Sequence, residues 1–211
     1  MARKFAAMLF ALLALAAAGM GIYAALSNMD AEPVLVEVPE EARELALTMM
    51  EDLCRGDYPA VSQVLYGQPD LGLDRDPADA VGVLIFEAYQ DSLQYELLRD
   101  CYVTDQGIAM DVAVTFLDVS SVTANLRQRT ATLLEAHVAK TEDASVIYAA
   151  GGEYREEFVM EVLYEAAVQA LSEDGKTLRT ELTLECVFEN GQWWIVPTDG
   201  LMKIIGCGIY R

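Results

Sequence analysis

Histidine occurs once in this chain, at position 137, and the four cysteines, Cys54, Cys101, Cys186 and Cys207, contain no C-x-x-C pair. That spacing, with no histidine nearby, argues against a zinc site. No G-x-S-x-G nucleophile motif, glycine-rich phosphate loop or other cofactor signature is present, so the commonest sequence grounds for a hydrolase or nucleotide enzyme are missing. Gly151-Gly152 lacks the preceding strand such a loop needs and reads as a helix-to-helix break. Positive charge is scarce: 14 Lys and Arg stand against 34 Asp and Glu, for a formal charge of −20. Such a chain repels nucleic acid and anionic lipid surfaces. Its acidity reads as a solubility device rather than a binding signal.

What is present begins at the N-terminus. Arg3 and Lys4 precede a run from Phe5 to Leu26 without a charged side chain. As a helix it would reach about 33 Å, enough for a hydrocarbon core of ~30 Å. Two cations before it and Asp30, Glu32 and Glu37 after it predict a cytoplasmic N-terminus. The expectation is a single-pass anchor over 1–27 with the remainder outside the cytoplasm. A cleaved signal peptide is the alternative, with small residues at Ala16-Ala17-Ala18 or Ala25-Leu26-Ser27. Both readings export the rest of the chain.

Residues 28–39 read as a linker and 40–211 as one domain. Ala42, Leu45, Ala46, Met49, Met50, Leu53 and Cys54 keep a helical period that Gly56 ends. Asp57 is placed to cap a short helix over 59–66, closed by Gly67. Asp76-Pro77 predicts the start of a helix with Val81, Leu84, Ile85, Ala88 and Tyr89 on one face. Period two then takes over. Residues 95–104 and 108–117 flank the turn Asp105-Gln106-Gly107. Two helices follow, about 121–140 with Ser120 or Ser121 as cap, and 153–171. A last hairpin runs through Leu178, Leu182, Leu184, Cys186 and Phe188, turns at Asn190-Gly191, and returns over 193–196. The sum is α+β, with helices packed on one antiparallel sheet and a two-helix insert between hairpins. The insert's stripes are Leu126, Leu133 and Leu134 against Phe158, Val162 and Leu163. They are expected to pack on each other and on the sheet. The alternative is a protruding helical hairpin with an exposed apolar seam.

The segment Asn190-Gly191-Gln192-Trp193-Trp194-Ile195-Val196-Pro197, with Asp199-Gly200-Leu201-Met202-Lys203, resembles the closing strand of nuclear transport factor 2-like domains. Phe86-Glu87-Ala88-Tyr89 through Tyr95-Glu96-Leu97 to Ala109, Val112, Val114 and Asp118 resembles their helix-to-hairpin part. The likeness is greatest to membrane-anchored and lipoprotein versions of unknown function in Gram-positive bacteria. It implies a cone-shaped fold whose curved sheet surrounds a pocket. The insert departs from the plain form of that fold and bears on whether the pocket is open. The superfamily includes isomerases and dehydratases with an acid, a histidine or tyrosines inside the cone.

Candidate residues follow. Tyr89, Tyr95 and Trp193 are candidates to line the pocket. Asp111 lies on the polar strand face, toward solvent, and Asp118 at a strand end suits a cap or turn. His137, at the edge of an apolar helix face, reads as a packed or capping imidazole. Asp70, Asp74, Asp76 and Asp79 form an acidic loop that fails calcium-loop spacing, because Pro77 and Ala78 follow Asp76. It reads as solvated, with Asp76 as cap. Cys101 and Cys186, one in each hairpin, could be brought together as a disulfide, with Cys54 and Cys207 as the remaining pair; buried thiols are the alternative. No metal or cofactor is expected. The function expected is a membrane-tethered extracytoplasmic domain that binds or scaffolds. Rivals are an enzyme using Tyr89, Tyr95 or Asp111 in the cone, and a regulatory subunit of a membrane complex. The expected partner is a protein or small molecule, with a homodimer as a further option.

Overall fold

The computed structural model describes residues 38–71 and 79–207. The apolar N-terminal run, most of the linker, and Asp74 and Asp76 lie outside the described residues. Among the described residues no helix is long and apolar enough to cross a membrane.

Helix α1 (Glu40–Arg55) buries Ala42, Ala46, Met49, Met50 and Leu53 on the stripe the periodicity predicts. Gly56 ends it at φ 77°, a left-handed conformation that glycine adopts without a Cβ penalty. Helix α2 (Tyr58–Val64) is capped by Asp57, which accepts from the Ala60 N–H at 3.1 Å. Helix α3 (Ala80–Ser92) starts later than Asp76-Pro77 suggests. Its cap is Asp79, which accepts from the Gly82 N–H at 2.8 Å. Gln90 of α3 donates to the carbonyls of Leu53 (2.8 Å) and Cys54 (3.0 Å), satisfying the last turn of α1.

Strands β1 (Gln94–Val103) and β2 (Ile108–Leu117) form the first hairpin, and β3 (Thr177–Glu189) and β4 (Gln192–Ile195) the second. Together they make one open antiparallel sheet in the order β1-β2-β3-β4. Asn190 (φ 53°) and Gly191 (φ 85°) supply the two positive angles of a type I′ turn. Met110, Val112 and Val114 on β2 and Leu184 on β3 face the helices and are fully buried. On the opposite face the register sets Ala109 between Tyr102 and Glu185, and Ala113 between Glu96 and Glu181. The long polar neighbours shield both alanines, so these two positions of β2 are buried on its polar side too.

The insert comprises α4 (Val119–Thr123), α5 (Leu126–Lys140), α6 (Ala144–Ile147) and α7 (Glu156–Asp174). The helix expected over 121–140 is therefore broken at Ala124-Asn125. Its first cap is Asp118 rather than Ser120 or Ser121, accepting from the Ser120 N–H at 3.0 Å. The expectation that the pair packs on itself and on the sheet holds in its first half. α5 packs on α7, but the main further neighbours of α7 are α3 and α4 rather than the strands. Met160, Tyr164 and Val168, four residues apart on the outer side of α7, stay exposed. A final helix, α8 (Asp199–Ile205), caps itself with Thr198 and buries Leu201, Ile204 and Ile205 against the sheet.

Candidate functional site

The α8 end of the core leaves space. Phe116 of β2 and Leu178 of β3 are opposite each other in the register, and Thr180 lies opposite Val114 on the same face. The start of α4 closes one side with Asp118, Val119 and Ser120, and α8 closes another with Gly200, Lys203 and Ile204. Between them is a cavity of about 320 Å³ whose walls are mainly apolar. That volume lies at the small end for sites that hold small molecules. Its floor is firmly held. The Tyr89 ring lies 5.7 Å from that of Phe116, and the Tyr89 hydroxyl donates to the Ile204 carbonyl at 2.6 Å.

The polar groups at this cavity differ in how they are committed. Asp118 Oδ1 accepts from both the N–H and the hydroxyl of Ser120. Its own N–H donates to the Lys176 carbonyl at 2.7 Å. Asp118 is therefore occupied in joining β2 to α4. Lys203 is exposed, is the single cation among the lining residues, and has no ion-pair partner among the described residues.

A second hollow of about 330 Å³ lies on the polar sheet face, against the loop of the first hairpin. Tyr102, Gly107, Thr183 and Glu185 line it, and it is more open and more polar than the first. Beside it, Asp111 Oδ1 accepts from the Tyr102 hydroxyl (3.0 Å) and from Thr183 Oγ1 (2.7 Å). The Arg99 guanidinium stacks 3.7 Å over the Tyr102 ring. Asp111 is thus on the open face, as its alternation with Met110 and Val112 predicts.

The three expected pocket residues are not brought together. Tyr89 is fully enclosed in the core, where burial drives its phenol far above the ordinary range. It supports the cavity through Ile204 instead of facing it. Tyr95, half-buried, packs at the edge of the core, and burial raises its phenol as well. Trp193 lies against Phe188, ring centroids 5.2 Å apart, at the far strand pair. Tyr89, Tyr95 and Asp111 share no site.

The cysteine pairing is corrected by the strand order. Cys101 is on β1 and Cys186 on β3, with β2 between them. Two strand spacings put their Cα atoms about 10 Å apart, beyond the ~7 Å a disulfide spans. Both are thiols. Cys186 is buried with its Sγ 3.9 Å from the Ala42 carbonyl, and burial, with Cys101 nearby, pushes the thiol up to about 12. His137 joins α5 to α7, with Nε2 2.7 Å from Glu165 and its ring edge-on to Phe158. Among the described residues no three His, Cys, Asp or Glu side chains gather as a metal site would need.

The sequence reading missed α8, and with it Gly200, Lys203 and Ile204. The signal was there: Thr198 and Asp199 at a helix start, then Leu201, Ile204 and Ile205 at helical spacing. No protein-family model, curated protein or solved structure matches this chain.

Proposed function

We propose that this chain is an extracytoplasmic, N-terminally anchored domain that binds a small, mainly apolar molecule without transforming it. The observation that carries the reading is the cavity of about 320 Å³ between the sheet and α8. Its walls are mainly apolar, and its acidic group is tied into a helix cap. Anchoring and export rest on the uncharged run after Arg3 and Lys4. A distant nuclear transport factor 2-like origin is in keeping with helices first, two hairpins, and a pocket between sheet and helices. The two register shifts in β1 suit a bent sheet.

Two measurements test this. External protease on intact cells is expected to remove the domain and leave a membrane-retained stub; a fully protected chain overturns export. A small-molecule screen on the full chain in nanodiscs is expected to give ligands whose binding is lost when the cavity is filled. Turnover of a screened compound that Asp111→Asn abolishes would replace this reading with the enzymatic one. The hollow beside Tyr102 and Thr183 would then be the site.

A further inference from the structure

The cavity's chemistry narrows the class of ligand. Phe116, Leu117, Leu178 and Ile204 offer hydrocarbon walls, and the exposed Lys203 is among the lining residues. Filled at ordinary packing density, a space of about 320 Å³ holds on the order of 12 non-hydrogen atoms. Of the two charged lining groups, Asp118 already accepts two hydrogen bonds at one oxygen from Ser120, whereas Lys203 has no ion-pair partner among the described residues. The chain's formal charge of −20 repels anions at long range. Screening confines that repulsion to about 8 Å at physiological salt, so the local ammonium decides what is held there.

We infer that the cavity takes a linear monocarboxylate of about eight to ten carbons, its chain among Phe116, Leu178 and Ile204 and its carboxylate on the Lys203 ammonium. This deepens the proposed function and rests on the same cavity. Lys203 would be a binding residue that selects charge, and the hydrocarbon walls would set chain length.

Three ligands separate the possibilities: octanoate, its neutral analogue octanamide, and octylammonium. Each is titrated by calorimetry into the full chain in nanodiscs, with empty nanodiscs subtracted. Two variants accompany them. Lys203→Gln removes the charge at an exposed position. Gly200→Leu adds a bulky side chain at a lining position where an added Cβ meets nothing within 4 Å. It also replaces a poor helix former, so the variant should fold.

The expected result is octanoate binding about tenfold tighter than octanamide, the value of one charge-assisted hydrogen bond. Lys203→Gln should erase that preference while leaving octanamide binding in place, and Gly200→Leu should abolish both. Equal affinity for octanoate and octanamide overturns the carboxylate inference and leaves the cavity reading standing. Tightest binding of octylammonium overturns it in favour of Asp118. Binding of all three that Gly200→Leu leaves unchanged, or binding of none, overturns the cavity reading itself.

Discussion

Helix α1, 16 residues long, buries five side chains against the sheet, whereas α5, 15 residues long, buries none. α1 is strongly amphipathic and α5 only weakly so, and the two meet different partners. α1 lies over all four strands, so Met50 and Leu53 are enclosed on every side. The main neighbours of α5 among the described residues are α7 and the short α4, which leaves Leu133 and Leu134 half covered. The insert is held partly by polar ties. Arg129 reaches Glu173 at 2.7 Å and Asp174 at 2.8 Å, and His137 reaches Glu165. Such pairs contribute little in water, while apolar burial contributes about 25 cal/mol per Å². Stability is thus concentrated in the sheet, in α1, α3 and α8, and in the inner face of α7, where Val162, Ala166, Ala167 and Ala170 are buried. Within the insert, α5 is the satellite that can open locally.

The largest expected effect tests that division directly. Leu53→Ala empties a fully enclosed site and should cost about 2–5 kcal/mol. Leu133→Ala on α5 should cost less than about 1 kcal/mol. Urea denaturation of both variants measures the contrast, and equal losses would break it. Next in size is Tyr89→Phe. It removes the hydroxyl that donates to Ile204, at a net cost of about 1 kcal/mol. Because Ile204 is on the cavity wall, the same variant should weaken ligand binding without any contact to the ligand.

How far the sequence carried this picture depends on the kind of signal. The α1 stripe, the Asp57 cap, the Gly56 stop and the Asn190-Gly191 turn are local, set by a few neighbouring residues, and each was legible. The strand order was not. Two hairpins separated by a helical insert could have met along several edges, and pairing β2 with β3 is what separates Cys101 from Cys186. The cavity was hidden for a related reason. Phe116, Leu178 and Lys203 are far apart in sequence, and nothing local marks them as neighbours. Tyr89 illustrates the limit in the other direction. Its helical period correctly predicts burial, yet burial alone does not distinguish a pocket wall from a core residue.

A smaller effect concerns the insert by itself. Arg129→Gln cuts α5 loose from the end of α7 while leaving the sheet and its helices untouched. Faster amide exchange is expected across 126–140, with little change across 108–117 and in the melting temperature. Slow exchange in α5 that survives the substitution would mean that its half-buried leucines suffice. That helix would then belong to the main cooperative unit.

The smallest effect is electrostatic and lies on the strong side of the comparison. Arg43 of α1 donates through Nε to both oxygens of Asp100 on β1, at 2.9 and 3.1 Å. That hydrogen bond, with one from the Cys101 N–H, holds the Asp100 carboxyl below its ordinary range. The sign follows from linkage. A carboxylate whose pKa is lower in the folded state contributes stability above its unfolded value of about 3.9, and loses it as pH falls through the folded value. Asp100 is largely exposed, so solvent screening makes the contribution small. Arg43→Met should therefore flatten the stability profile slightly below about pH 4. Above that window it should lower stability by a small, constant amount. A steep loss at neutral pH would show that α1 depends on this ion pair for its seat on the sheet, against the dominance of Met50 and Leu53.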